Sequence, residues 1–289
     1  MSVDRPATFA GRFYPGHPDM CAQMVDDLLR GTAAPAGPGA IVPHAGWVYS
    51  GATAALGLAA IAATQPETVV IFGAVHVPDP NPASVYPGAA WQTPLGSLHV
   101  DEELAARFAR SRLIVAEPAS HRREHSIEVQ LPLLLRLLPG VRIVPIMVRP
   151  SRDAPEIGRW CASEASGSGR KVAFVGSTDL THYGPAFGFE PHGSGQVGIH
   201  WAKEVNDRRI IKLIQDLDAD GVLEEAEINR NACGAGAIAA TIAAMRELGA
   251  TRYEELRHTC SAEVDFGQGG EPESANSVGY EAGVFLTGA

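Results

Sequence analysis

The chain lacks several features that mark common functional classes. Its 289 residues carry a formal net charge of −10 and contain no lysine- or arginine-rich run, so a nucleic-acid surface is not expected. No apolar stretch approaches the roughly 20 residues that span a bilayer, and the amino terminus lacks the basic-then-apolar order of a signal peptide. We therefore expect a cytoplasmic protein that binds neither nucleic acid nor membrane.

Cysteine is scarce as well. The four cysteines, Cys21, Cys161, Cys233 and Cys260, have a wide and irregular spacing that fits neither a disulfide framework nor a zinc ribbon. Cys233 differs from the others because "RNACGAGAIAATIAAM" places it near the predicted start of a helix. Unpaired backbone N–H groups at a helix start favour the thiolate, the form of cysteine that binds metals or attacks electrophiles. The other three are interpreted as buried apolar residues.

The sequence does contain short, β-branched apolar runs that end in glycine, proline or polar residues. The runs "GAIVPHAG", "TVVIFGAVHVP", "VRIVPIMVRP" and "RKVAFVGSTDLTHYG" are typical of buried strands, and "NSVGYEAGVFLTG" predicts a terminal strand that returns to the core. Helical patterns such as "GATAALGLAAIAA" alternate with them. This alternation predicts an α/β fold: a single domain over residues 1–289, with a central, mostly parallel or mixed sheet flanked by helices.

Three histidines follow predicted strands directly. His44 stands in "VPHAGWVYSG", His76 in "VVIFGAVHVP" and His182 in "VGSTDLTHYG". In open α/β folds, ligands and catalytic groups lie outside the carboxyl ends of the strands. Independent loop histidines have no reason to recur there, so we predict that the three converge on one site. Either Asp179 or a backbone carbonyl is predicted to orient the His182 ring, unless Asp179 is an N-cap or turn residue.

The stretch "SHRREHSIEVQLPLL" combines charged residues with the predicted start of an amphipathic helix. His121 and His125 are four residues apart, and His125 and Glu128 are three apart, so either pair would share a helical face. Histidine and carboxylate at such spacing bind metals in helical bundles. Alternatively, Glu124 and Glu128 interact with the positive end of the helix. We favour a cleft-facing His125 that does not bind the metal.

Several motifs together resemble one family. The motifs "FAGRFYPG", "VPHAGWVYSG", "FGAVH", "EHSIEVQLP", "STDLTHYG", "ACGAG" and "NSVGYEAG" occur in the order and approximate spacing of the Memo family. Its prokaryotic members are also called AmmeMemoRadiSam system protein B. The resemblance runs from about Phe9 to Gly283, which is nearly the whole chain.

The resemblance implies a fold similar to that of class III extradiol ring-cleavage dioxygenases. These enzymes use non-haem Fe(II), on which two histidines and a carboxylate leave open positions for catechol and dioxygen. By motif, His44 and His76 resemble the histidine ligands, Cys233 resembles the family's thiol in place of the carboxylate, and His182 resembles the acid/base histidine. A thiolate is softer than a carboxylate, which makes copper and zinc alternatives to Fe(II).

Three functions are compatible with these residues. The first is a metal-dependent, dioxygenase-like oxidoreductase that acts on a small molecule, with His182 as proton donor or acceptor. The second is a metal-free thiol enzyme with Cys233 as nucleophile and His182 or His125 as base. The third is a binding or metal-sequestering module without turnover, in line with the adaptor roles ascribed to animal Memo proteins, which implies a protein partner.

Overall fold

The computed structural model describes residues 4–264 and 275–288, so residues 1–3, 265–274 and 289 of the predicted domain lie outside the described part. The strands are β1 (Gly39–Val42), β2 (Thr68–Gly73), β3 (Ala83–Val85), β4 (Ala90–Thr93), β5 (Gly96–His99), β6 (Ile114–Ala116), β7 (Arg142–Val148), β8 (Val172–Ser177), β9 (His182–Tyr183), β10 (Ala250–Cys260) and β11 (Ser277–Thr287). The α-helices are α1 (Pro18–Leu29), α2 (Trp47–Ala62), α3 (Glu102–Phe108), α4 (Leu131–Leu137), α5 (Ala154–Ser166), α6 (Gln196–Trp201), α7 (Arg208–Gln215), α8 (Ala219–Asn229) and α9 (Ala235–Glu247).

A mixed sheet forms the centre of the molecule. Within the described residues its strand order is β10-β11-β1-β8-β2-β7-β3-β6, with β9 paired to β11, while β4 and β5 form a separate hairpin. The four central strands β1, β8, β2 and β7 are parallel, whereas β11 is antiparallel to β1 and β3 is antiparallel to β7. The predicted α/β fold with a mixed sheet flanked by helices is therefore confirmed, while the bounds 1–289 stay a prediction.

Helices cover both faces of the sheet. Alternate residues of β1 point to opposite faces, and a side chain at Gly39 would touch Met245 of α9, whereas Val42 lies against Gly57 of α2. Helix α9 is built almost entirely from small buried residues, which lets its neighbour approach closely. A methyl group on Gly158 of α5 would lie 2.0 Å from a carbonyl oxygen of α9, so this contact requires glycine.

The stretch "SHRREHSIEVQLPLL", predicted to contain the start of an amphipathic helix, differs from the prediction. The α-helix begins only at Leu131, after a single 3₁₀ turn over Glu128–Gln130, and has proline in its first turn, a position that favours a helix start. Upstream, the Glu124 carboxylate accepts hydrogen bonds from the backbone N–H groups of His125 and Ser126. Such local bonds compete with helix formation, so His121, His125 and Glu128 share no helical face.

Among the residues that the structure describes, none of the helices combines the length and the hydrophobicity that crossing a bilayer requires.

Candidate metal centre

Strand order explains why distant parts of the sequence meet at one place. Strands β1, β8 and β2 are adjacent and parallel, so their carboxyl ends lie at the same edge of the sheet. His44 follows β1, Asp179 and His182 follow β8, and His76 follows β2. Cys233 reaches the same edge because it immediately precedes the start of α9, which packs beneath these strands.

The predicted ligands lie close together. One ligand atom from each of His44, His76 and His125 lies within 4.8 Å of the others. The Sγ atom of Cys233 lies 3.2 Å from Nε2 of His44. Atoms that share one metal ion at typical bond lengths of roughly 2.0–2.3 Å lie about 3–4 Å apart. The structure therefore brings together three histidines that can hold one metal ion, including His125, for which the sequence favours a role without metal binding. The third predicted ligand, Cys233, lies beside His44, so the choice between Cys233 and His125 as third ligand stays a prediction.

Hydrogen bonds determine which ring nitrogens face this centre. The Ser177 hydroxyl donates its hydrogen to the Ser126 carbonyl at 2.7 Å, so it accepts from Nδ1 of His44 at 2.9 Å. Nδ1 of His76 lies 3.0 Å from Oε1 of Glu124 and donates to it. In both rings Nε2 is left available, which is the arrangement that outer partners impose on metal-binding histidines.

Neighbouring groups shift the pKa values of Cys233, His76 and Glu124. Burial opposes the thiolate, but the charge and hydrogen bond of His44 and a hydrogen bond from His76 lower the pKa of Cys233 to about 7. Burial likewise opposes the charged His76 ring, but hydrogen bonds to Cys233 and Glu124 raise the pKa of His76 to about 10. Burial disfavours the Glu124 carboxylate, yet the His76 hydrogen bond lowers the pKa of Glu124 to about 2. A thiolate beside imidazolium is a metal-binding or nucleophilic form of cysteine.

His125 lies between the centre and two aromatic side chains near the amino terminus. Its ring stacks on His76 with centroids 4.7 Å apart and contacts Phe13 at 4.5 Å and Phe9 at 5.5 Å. Burial and the nearby charges of other histidines, foremost His44, lower the pKa of His125 to about 3. A neutral ring with this position can bind a metal or exchange a proton.

Asp179 connects two of the predicted ligands through the backbone. Its Oδ1 accepts the backbone N–H of His44 at 2.7 Å, and its own N–H donates to Sγ of Cys233 at 3.3 Å. Nδ1 of His182, in contrast, donates to the Leu180 carbonyl at 3.0 Å. The Leu180 carbonyl is thus the partner that orients the His182 ring. Nε2 of His182 remains for proton transfer.

Glu128 and His121 do not belong to the centre. The Glu128 carboxylate accepts from Nη1 of Arg5 at 2.5 Å, from the Tyr14 hydroxyl at 2.8 Å and from two backbone N–H groups near the amino terminus. His121 is fully buried and its Nε2 lies 3.1 Å from the Ser84 carbonyl. The alternative metal site on a helix, with His121 or Glu128, is therefore wrong, because both side chains are committed to other partners.

Sequence reasoning missed three contributors to the centre. Glu124 was interpreted only as a helix-end carboxylate, although it directly follows the arginines of "SHRREHS" and precedes His125. Ser177 at the end of β8 gave no separate signal. Arg5 gave none either, yet its buried guanidinium donates to the His121 carbonyl at 2.7 Å and to the Glu124 carbonyl at 2.8 Å. Arg5 thus stabilises the segment that carries Glu124 and His125.

The chain was compared with known structures, known sequences and family models, and the sequence comparisons agree on one family. A crystal structure of an uncharacterized protein from Escherichia coli K12 aligns with a TM-score of 0.46 and 13% sequence identity, covering 85% of this chain and 99% of that chain. The chain is 38% identical over 266 residues to a MEMO1 family protein of Methanosarcina barkeri, covering 90% of this chain and 94% of the relative. It is 33% identical over 303 residues to a MEMO1 family protein of Methanopyrus kandleri, covering 99% and 100%. The family model described as Memo-like protein matches residues 5–284. The chain therefore belongs to the Memo family.

Proposed function

We propose that the chain is a metal-dependent, dioxygenase-like oxidoreductase in which His44, His76 and Cys233 hold a non-haem iron ion. The observation that carries a metal centre is that the ligand atoms of His44, His76 and His125 lie within 4.8 Å of one another. Cys233 is proposed as the third ligand in place of His125 because its sulfur lies 3.2 Å from His44 and a thiolate is a stronger ligand than a neutral imidazole. Two imidazoles and a thiolate suit Fe(II), and they suit copper and zinc as well. Outer partners on His44 and His76 support this function, because they present Nε2 of both rings.

The remaining polar residues have roles that follow from their contacts. Bound Fe(II) supplies the one-electron and dioxygen chemistry that side chains do not perform. His182 exchanges a proton with the small-molecule substrate through Nε2, since Nδ1 is committed to Leu180. His125 is a second candidate proton-transfer group because its ring stacks on His76 at the centre. Asp179 fixes the His44 backbone and the Cys233 sulfur relative to each other through its hydrogen bonds to both.

Metal content is the decisive measurement. Protein purified anaerobically should carry about one equivalent of iron by elemental analysis, and His44→Ala, His76→Ala and Cys233→Ser should each lose most of it. Oxygen uptake with a panel of catechols then tests for turnover. Stoichiometric metal without oxygen uptake would favour a metal-binding module. Full metal content in all three variants would refute the proposed ligand set.

The short distance between Cys233 and His44 favours one second candidate, a metal-free thiol enzyme. A thiol in hydrogen-bond reach of an imidazole is the arrangement of an activated nucleophile, and here the histidine in reach is His44, at 3.2 Å. The sequence analysis predicted His182 or His125 as the base. Activity that persists after chelation of metal and is lost in Cys233→Ser would establish this candidate instead.

A further inference from the structure

A π-helical turn contacts the segments that carry His182 and Cys233. This turn, Ala202–Asp207, joins α6 to α7 and contains one more residue per hydrogen-bonded loop than an α-helix. Its last two side chains, Asn206 and Asp207, are both buried, at 0% and 1% exposure. π-Turns inside helices occur frequently at functional sites, so we asked what these two side chains contact.

Asn206 contacts both of the segments that bring residues to the centre from this side. Its Nδ2 donates to Oγ1 of Thr181 at 3.1 Å, next to His182 in the chain. The same Nδ2 donates to the Asn229 carbonyl at 2.9 Å, and the Asn206 carbonyl accepts from Nδ2 of Asn231 at 2.9 Å. Asn231 is two residues from Cys233. One side chain and its backbone therefore connect the His182 segment to the Cys233 segment.

Asp207 strengthens the same connection. Its Oδ1 accepts the backbone N–H of Thr181 at 3.0 Å, and its Oδ2 lies 3.0 Å from Nε2 of the buried His258. Gly279 of β11 leaves room for this carboxylate, because a methyl group there would lie 2.1 Å from Oδ2. The π-turn is thus fixed against the sheet on one side and against Thr181 on the other.

The Asn206 amide group is only partly satisfied. Oδ1 of Asn206 has no hydrogen-bond partner among the described residues. A buried polar atom without a partner opposes folding, and such atoms call for an explanation in terms of function or solvent. Leucine has a similar size and would remove this unpaired oxygen, but it would also remove both hydrogen bonds from Nδ2 to Thr181 and to the Asn229 carbonyl. The Asn206 amide therefore serves to connect these two segments.

We propose that Asn206 is a positioning residue that holds Cys233 next to His44 and holds His182 at the edge of the centre. Its side chain acts through Thr181 and the Asn229 carbonyl, and its backbone carbonyl acts through Asn231. This inference rests on the proposed function for its consequence in metal binding, but the placement of Cys233 relative to His44 can be measured in the metal-free protein.

The test compares Asn206→Leu with wild type and with Arg208→Gln. Arg208 immediately follows the π-turn and pairs with Glu255 at the surface, so Arg208→Gln is the matched control. The first readout is the alkylation rate of Cys233 by iodoacetamide at pH 7 in metal-free protein. The second is the sulfur-to-cobalt charge-transfer band after Co(II) loading, which reports a thiolate ligand directly. Thermal unfolding checks that each variant retains a cooperative transition.

We expect Asn206→Leu to unfold cooperatively while Cys233 reacts more slowly. If Cys233 loses the His44 contact, which is 3.2 Å long, the imidazole no longer stabilises the thiolate, and alkylation at pH 7 should be roughly threefold slower. Co(II) affinity should fall about 10–100-fold, as for other outer-partner variants, with loss of the charge-transfer band. Arg208→Gln should match wild type in both readouts.

The outcomes separate this inference from the proposed function. If Co(II)-loaded wild-type protein shows no charge-transfer band, Cys233 is not a ligand. The alkylation rate in metal-free protein would still test the positioning role of Asn206. An unchanged or faster alkylation rate in Asn206→Leu would refute the positioning role. If Asn206→Leu does not fold, Thr181→Val and Asn231→Leu can replace it, because each removes one contact of Asn206. Unchanged alkylation of Cys233 in Asn231→Leu, together with an unchanged Co(II) spectrum in both variants, would refute the positioning role equally.

Discussion

Glu124 contacts His76 twice: Oε1 accepts from ring Nδ1 at 3.0 Å, and Oε2 accepts from the His76 backbone N–H at 2.9 Å. This pair fixes both the position of the loop and the orientation of the ring. Carboxylate partners of this kind make a histidine a better ligand, and their loss costs about 10–100-fold in metal affinity.

We therefore expect Glu124→Gln to bind metal about 10–100-fold more weakly than wild type, while its fold is retained. Titration with Co(II) or Fe(II) under anaerobic conditions measures the affinity. Glu117→Gln is the matched control, because this partly exposed carboxylate lies seven residues earlier and accepts a local backbone hydrogen bond. Equal affinities for the two variants would show that Glu124 has no influence on the metal.

The buried pair of Arg5 and Glu128 should govern stability. Their charged groups lie 2.5 Å apart with side-chain exposures of 2% and 0%. Removing one partner of a buried pair leaves an uncompensated charge and typically costs about 3–5 kcal/mol. Arg5→Met should therefore lower the free energy of unfolding by about 3 kcal/mol, measured by urea denaturation. A loss below about 1 kcal/mol, the range of surface pairs, would contradict this interpretation.

His182 should affect turnover and leave metal binding unchanged. Its ring is oriented by the Leu180 carbonyl, and no metal-ligand group of the centre appears among its described hydrogen bonds. His182→Ala should retain the metal content of wild type while oxygen uptake falls about 10²–10⁴-fold, the usual contribution of a general acid or base. His44→Ala serves as the comparison, since it should lose the metal itself. Metal loss of similar extent in both variants would make His182 a ligand.

The sequence predicted the central part of the fold well and its periphery poorly. Strands β1, β2, β7 and β8 are uninterrupted apolar runs buried on both faces, and such runs are recognisable without neighbours. Strand β10 was missed because "ATRYEELRHTC" carries four charged side chains and lacks the alternation of buried and exposed residues that marks a half-buried strand. Its pairing with β11 along the edge of the sheet, rather than its composition, makes it a strand.

The site was predictable to the extent that it depends on strand ends. His44, His76 and His182 each follow a strand, so topology alone brings them to one edge. Glu124 and Arg5 depend instead on contacts between segments 119 residues apart, and no local pattern encodes such contacts. Helix periodicity was also a poor guide in 121–128, because carboxylate hydrogen bonds to the backbone replace the helix there.

The buried carboxyl group of Glu281 should make the stability of the protein depend on pH. This fully buried carboxyl group lies 2.7 Å and 2.9 Å from the Tyr253 hydroxyl, and burial raises the pKa of Glu281 from 4.5 to about 8. The folded state retains the proton after the unfolded state has released it. The contribution of Glu281 is therefore complete below about pH 4 and is lost as the pH rises from about 4.5 to 8.

Glu281→Gln should remove this dependence. The amide stays neutral in both states, so the variant should gain stability relative to wild type between pH 5 and pH 8.5, by more than about 1.4 kcal/mol, which corresponds to one pKa unit. Urea denaturation at the two pH values measures the difference. Glu254→Gln, at an exposed position of β10, should show no such gain. A parallel pH dependence in Glu281→Gln and wild type would mean that another group titrates.

Cys233 separates the candidate functions most sharply. A thiolate that binds a metal is deprotonated and shielded by it, whereas a free thiolate beside His44 is a reactive nucleophile. We expect iodoacetamide to modify Cys233 slowly in metal-loaded protein and rapidly after the metal is removed. The other cysteines, Cys21, Cys161 and Cys260, are buried and serve as internal references in the same mass-spectrometric map.

Substitutions extend the same test to the choice of metal. Cys233→Ser should lose most of the bound metal, because a neutral hydroxyl is a poor ligand, while Cys233→Glu restores a carboxylate and should recover iron in preference to copper(I). Elemental analysis of both variants, loaded from an equimolar mixture of the metals, measures the preference. Equal alkylation of Cys233 with and without metal, together with full metal content in Cys233→Ser, would exclude the thiol as a ligand. Loss of activity in that same variant would then identify Cys233 as the nucleophile.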